Sequence, residues 1–226
     1  ITSTGFDLII DGEGFDLETM RAEIVSGLLF DTRIRQKNIQ NIEITGAIEE
    51  KAIETNIIID DSIIGITLYG GINMQDEVNT YMANANIKHI NLSELDIWKT
   101  QIDTNITIGT TINANIHGNN LDELYGNVIF ENTKIQINET DSFSLSNMAI
   151  TARELDSYKN VTLDCDLLHF GTKGYFRYSD FGRITQRIFN LYIPDNYNIF
   201  LAENNTRYSP TTNTDAEFEF TLQLLD

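Results

Sequence analysis

The run from Ile102 to His117 constrains the fold of this chain more than any other part of it. Its even positions read Ile102, Thr104, Ile106, Ile108, Thr110, Ile112, Ala114 and Ile116, while its odd positions read Asp103, Asn105, Thr107, Gly109, Thr111, Asn113, Asn115 and His117. Side chains of a strand point alternately to its two faces, so this is a β-strand with one apolar and one polar side. At about 3.3 Å per residue it would extend roughly 50 Å, well beyond an ordinary strand of about 5–6 residues. Gly109 marks a bend or bulge that leaves the parity intact.

Composition points the same way. Ile is the commonest apolar residue and Asn the commonest polar one, and Pro194 and Pro210 are the only prolines. Branched side chains lose rotamer freedom in helices and fit a pleated, half-buried surface. Further strands are expected at Phe6–Ile10, Arg21–Phe30, Asn41–Gly46, Glu54–Asp60, Ile63–Ile72 and Asn86–Trp98. After the long strand come Gly126–Ile137, Phe143–Thr151, Asn160–Phe170, Lys173–Tyr178 and Glu217–Leu224. Two segments read as short amphipathic helices. Met74–Met82 (helix near 75–83) spaces Met74, Val78, Tyr81 and Met82 at helical intervals, and Ser179–Tyr192 (helix near 180–192) does so with Phe181, Ile184, Ile188 and Leu191 before Pro194. The expected fold class is all-β, mainly antiparallel, with these two helices.

The chain also echoes itself at a spacing of about 106 residues. Ile10, Gly12 and Asp16 recur as Ile116, Gly118 and Asp122; Ile44-Thr45 recurs as Ile150-Thr151; Asp60, Gly65 and Tyr69 recur as Asp166, Gly171 and Tyr175. This suggests two units, 1–105 and 106–226, with Glu217–Leu224 opening a third. The polar start and apolar finish read as an internal piece of a longer protein.

Thirty-four acidic against 15 basic residues give a formal net charge of −19. That disfavours partners bound through phosphate backbones or anionic lipid headgroups, both of which call for a basic surface. With 41% apolar residues the chain is no disordered acidic tail. The single Cys165 rules out an intrachain disulfide framework and a multi-cysteine zinc site. No window approaches 18 uninterrupted apolar residues.

Catalytic arrangements are absent from the sequence: there is no nucleophile elbow, phosphate loop or H-E-x-x-H helix. His89, His117 and His169 are far apart, and His117 continues the polar face of its strand. Cys165 and His169 lie four apart on an expected strand that separates them by roughly 13 Å, too far to share a metal. Asp11, Glu13 and Asp16, the pair Asp60-Asp61 and the pair Asp164/Asp166 lack the spacing of a calcium loop and read as solvated carboxylates. Trp98 is the only Trp, which disfavours a sugar-processing site. Asn-x-Ser/Thr sequons at Asn91, Asn105, Asn138, Asn160 and Asn204 are expected by chance where Asn is so frequent. No catalytic, metal or cofactor residues are assigned, and the chain is expected not to be an enzyme.

A family resemblance adds to this. Ile116–Ile137 joins a strand end, a Gly-Asn-Asn turn, Leu-Asp-x-Leu, a Gly and another strand. Gly174, Tyr175, Phe176, Tyr178, Phe181 and Pro194 then follow as an aromatic strand end and a helix closing near a proline. This succession resembles the TamB-like (translocation and assembly module) proteins of Bacteroidetes-type bacteria, within the wider AsmA-like group. The first half departs from the pattern, with Gly14-Phe15-Asp16 in place of Leu-x-x-Leu and no proline after its helix. The resemblance implies a long curled β-sheet forming an apolar groove. It also implies a periplasmic location in a parent anchored in the inner membrane, and a non-enzymatic role in phospholipid transport or outer-membrane biogenesis. An outer-membrane β-barrel is the implied protein partner.

On that reading the groove is lined by Ile102, Ile106, Ile108, Ile112, Ala114, Ile116, Val128 and Phe130, with phospholipid acyl chains as its cargo. Phe181, Ile184, Ile188 and Leu191 would form a helical plug over an open end. The alternation serves a β-sandwich core equally well, so an adhesin-type structural module stays open, as does a carbohydrate-binding β-domain.

Overall fold

A computed structural model describes residues 5–30, 32–34, 37–97, 105–138, 140–180 and 217–225. Among the described residues the chain is all-β, with every ladder antiparallel. Twelve strands form one open sheet in chain order: β1 (Gly5–Glu13), β2 (Arg21–Phe30), β5 (Ile42–Glu49), β6 (Ala52–Asp60), β7 (Ile64–Asn73), β8 (Thr80–Asn91), β9 (Ile106–His117), β10 (Tyr125–Ile137), β11 (Asp141–Leu155), β12 (Tyr158–Cys165), β13 (Leu168–Tyr175) and β14 (Glu217–Leu224). A small hairpin of β3 (Thr32–Ile34) and β4 (Lys37–Ile39) is inserted between β2 and β5.

Turn chemistry explains how so many hairpins follow one another. Glu50-Lys51 and Asp156-Ser157 each place both residues at positive φ, the two-residue hairpin turn whose twist matches the strands it joins. These two turns lie 106 positions apart. Asn41, Asn132 and Asn138 also take positive φ, which gives part of the Asn abundance a conformational reason. Ladder registers carry the spacing further. Ile44 faces Ile57 as Ile150 faces Leu163, and Ile48 faces Ile53 as Glu154 faces Lys159, whereas Ile10 faces Ile24 but Ile116 faces Gly126, an offset of 102. Across β13 the offset is 102, because Ile53 faces Ile72 while Lys159 faces Gly174. Gly171 and Tyr175 therefore do not occupy the places of Gly65 and Tyr69.

Three expectations are corrected. Met74–Met82 is not helical: Met74–Asn79 connects β7 to β8, and Tyr81 and Met82 belong to β8 opposite Ile116 and Asn115. An isolated nine-residue helix is marginal in water, whereas the ladder pairs each backbone group with a neighbouring strand. Side chains hold the connection, as Asn73 Oδ1 accepts from Gln75 N (2.9 Å) and Asn119 Oδ1 accepts from Asn79 N (3.0 Å). Asn86–Trp98 is not one strand, because β8 ends at Asn91, where Asn91 Oδ1 accepts from Glu94 N (3.0 Å) in a turn. Asn160–Phe170 is a hairpin, so Asp164 faces His169 and Cys165 points to the opposite side. Helix 180–192, with Phe181, Ile184, Ile188 and Leu191, lies outside the described residues apart from its start, where Tyr178–Asp180 forms a single 3-10 turn.

Among the described residues, buried apolar side chains are few, and five of the seven gather at one end of the sheet. Ile39, Ile42, Ile63, Ile64 and Leu95 pack together against Leu29, Ile34, Ile44, Ile57, Ile59, Ile66 and Ile90. The β3–β4 hairpin and the turns after β6 and β8 thus fold over the sheet there and cap it.

Candidate functional site

Residues directly opposite on paired strands share a face, so the registers trace which side chains line up. One row runs Leu8, Gly27, Ile44, Ile57, Leu68, Ala85, Ile112, Phe130, Met148 and Cys165, from β1 to β12 without a polar side chain. At about 4.8 Å per strand it spans roughly 45 Å. The parallel row on the other face reads Thr45, Asn56, Tyr69, Asn84, Asn113, Ile129, Ala149, Asp164, His169 and Gln223. One side of the sheet is therefore mainly apolar, the other mainly polar.

The expected lining residues fall on the apolar side. Ile106, Ile108, Ile112, Ala114 and Ile116 share one face of β9, with Phe130 opposite Ile112 and Val128 opposite Ala114. All seven are half-buried, and Ile102 lies outside the described residues. Beyond the β3–β4 cap at one end, no second sheet covers this side among the described residues, which is why these side chains stay half-buried rather than sealed. The first half of the chain contributes as much, through Ile44, Ile53, Ile57 and Leu68. Their period-two spacing was visible in the sequence without their being assigned to the lining.

Bulges interrupt the ladders without breaking the two-sidedness. Register shifts fall between Ile24 and Gly27, between Ile87 and Ile90, and between Glu131 and Lys134. The last two flank Gly109, where a Cβ would stand 2.9 Å from the Lys88 carbonyl oxygen. Such bulges bend a strand and increase its twist. Thr110 and Thr133 meet at the bulge on the apolar side and satisfy each other, Oγ1 to Oγ1 at 2.8 Å.

Charge on the apolar side is confined and paired. Lys159 is 3% exposed, in line with Val161 and Leu163 on β12. Its ammonium binds the Glu154 carboxylate on β11 and the Asp122 carbonyl oxygen, and lies 4.8 Å from the Tyr178 ring centre. Beside it, at the end of the sheet away from the β3–β4 cap, an apolar hollow of about 360 Å³ is lined by Ile116, Leu121, Leu124, Val128, Ile150, Ala152, Val161 and Tyr178. The 3-10 turns Leu121–Glu123 and Tyr178–Asp180 border it, tied by Asp122, whose carboxylate accepts from Ser179 N (2.9 Å) and Ser179 Oγ (3.0 Å). The sequence reading missed this cluster. Its signal was Lys159, a charged residue at an apolar parity position.

The Ser179 amide, more than any other contact, holds the Asp122 carboxyl below its ordinary range. A depressed carboxyl contributes stability above the ordinary carboxylate range and loses it as pH falls through its own lowered pKa. Acidification is thus expected to release the tie between the two 3-10 turns. A carboxyl NMR titration should show Asp122 titrating below the ordinary carboxylate range, and Ser179→Ala, which keeps the amide and removes only the hydroxyl donor, should move it up only part of the way.

The histidines are engaged in the polar side and its turns. His117 stacks on Tyr125 at 5.2 Å and meets Thr80 Oγ1 at 3.1 Å; His89 Nε2 is 2.9 Å from the Asp61 carbonyl oxygen; His169 pairs with Asp164. The Asp61 carboxylate accepts from Ile63 N (2.8 Å) and Gln40 N (3.0 Å), and Asp16 Oδ1 accepts from Glu18 N (3.0 Å), so these acids cap turns. Among the described residues no three His, Cys, Asp or Glu side chains converge in a metal-holding group, and no helix is long and apolar enough to cross a membrane. Comparison with protein-family models, curated proteins and solved structures gives no match.

Proposed function

We propose that the apolar side of this sheet is a non-enzymatic groove that shields lipid acyl chains from water. The observation that carries the proposal is the uncovered apolar row crossing ten strands with no polar side chain in it. An acyl chain removed from water gains about 0.8 kcal/mol per methylene, and a continuous apolar wall provides this without a specific site. The bulges around Gly109 favour a sheet curled lengthwise, with the polar side and most of the −19 charge facing water. Phospholipid transport between inner and outer membranes, in a periplasmic parent working with an outer-membrane β-barrel, is the setting that the family resemblance supplies. A closed sandwich core would need a second sheet over Ile112 and Ile57, and the described strands supply none.

Photo-crosslinking side chains placed at Ile57, Ile112 and Phe130 in cells test this reading. Lipid adducts are expected at all three and none at Asn115 on the opposite side. Capture at Asn115 alone, or no lipid at any position, would reject the groove.

A further inference from the structure

The hollow beside Lys159 differs from the rest of the apolar side in having a polar atom to offer. Tyr178 lines it, and the Tyr178 hydroxyl oxygen is shut off from solvent with no hydrogen-bond partner among the described residues. Buried hydroxyls left alone are costly, and each calls for an explanation. Burial, and then the Glu154 carboxylate, push this phenol up to about 12, so it stays a donor at any physiological pH.

The matching place in the first half sharpens the point. Glu154 and Lys159 face each other as Ile48 and Ile53 do, at equivalent register positions. The apolar pair has been replaced, only at this end, by an ion pair that supports the Tyr178 ring. Since Lys159 is already bound by Glu154 and Asp122, it is not available to an anionic headgroup. Glu154 would in turn repel a free carboxylate.

We infer that the hollow binds one acyl chain of a neutral ester lipid, with the ester carbonyl oxygen accepting a hydrogen bond from the Tyr178 hydroxyl. The volume of about 360 Å³ lies at the small end of ligand sites, suited to part of a single chain. Ile116, Val128, Ile150 and Val161 supply the wall, and Leu121 and Leu124 the rim. This inference rests on the groove reading, since it names the class of lipid and the place where its polar end is recognised.

The test is photolabelling of the whole chain with a diazirine-bearing hexadecanoic acid methyl ester, mapped by peptide mass spectrometry, with hexadecane as competitor. Label is expected to concentrate on the segments holding Leu121, Leu124 and Val161. Tyr178→Phe, which removes one buried unpaired oxygen and leaves the packing, should raise the half-saturating ester concentration about five- to tenfold while leaving competition by hexadecane unchanged. Ala152→Leu, filling the hollow, should remove the label. Ester affinity unchanged in Tyr178→Phe, or label spread evenly over the apolar side, would overturn the inference. Label at Ile57 and Ile112 without the hollow would overturn it and leave the groove standing. Label in the hollow alone would support ester binding there while rejecting a continuous groove and, with it, the placing of the hollow within one, and label nowhere would overturn both.

Discussion

Ile112→Asp is expected to lower lipid capture at Ile57 and Phe130 about a hundredfold, while the same charge at Asn115 leaves capture unchanged. Ile112 sits mid-row, between Ala85 on β8 and Phe130 on β10. On the open sheet its side chain is only half-buried, so in the lipid-free protein a carboxylate there keeps much of its water and the fold survives. A lipid chain lying across the row would strip that water away, and desolvating an unpaired carboxylate costs several kcal/mol. At about 1.4 kcal/mol per tenfold, two orders of magnitude need only part of that cost. Asn115 is exposed on the other side of the same strand, so Asn115→Asp adds the same charge without touching the row. Photo-crosslinking yields of the two variants decide the matter. Equal yields would mean that the apolar row does not carry the lipid.

Much of this architecture was legible in the sequence because period-two alternation is a local signal. The parity of Ile106, Ile108, Ile112, Ala114 and Ile116 placed them on one side before any partner strand was known. The alternation could not say what lay opposite, since pairing between β8, β9 and β10 is set by registers that shift at Lys88-His89 and at Asn132-Thr133. The failed helix at Met74–Met82 shows the same limit. Four apolar residues at helical spacing straddle a turn and the start of a strand, and the longer-range ladder to Asn115 and Ile116 prevails. The inserted β3–β4 hairpin was missed because Thr32–Ile34 and Lys37–Ile39 are too short to show a period. The hollow was missed for another reason: Asp122, Lys159 and Tyr178 meet only once the sheet and its 3-10 turns have formed.

Glu154→Ala is expected to destabilise the fold by about 3 kcal/mol, whereas Glu154→Leu combined with Lys159→Met leaves it as stable as the parent or more so. The single change leaves the Lys159 ammonium buried with its carboxylate partner gone, and breaking a buried pair in this way typically costs about 3–5 kcal/mol. The Asp122 carbonyl and the Tyr178 ring remain in contact with it, which holds the loss to the low end of that range. Removing both charges takes away two desolvation costs together with the attraction that offset them, a trade often neutral or favourable. The protein already contains this solution, since Ile48 and Ile53 face each other at the equivalent place in the first half. Thermal unfolding should register the difference. For a chain of 226 residues each kcal/mol moves the midpoint about 2–4 °C, so the single variant should melt at least about 6 °C lower and the double variant no lower than the parent. A single variant within about 2 °C of the parent would mean that Lys159 finds water or another acid, and that the ion pair does not organise this end of the sheet. If the ion pair is kept for the geometry it imposes on Tyr178 rather than for stability, the double variant should also lose the preference for an ester over hexadecane. Its Tyr178 hydroxyl is intact, but the ring has lost the ammonium beneath it.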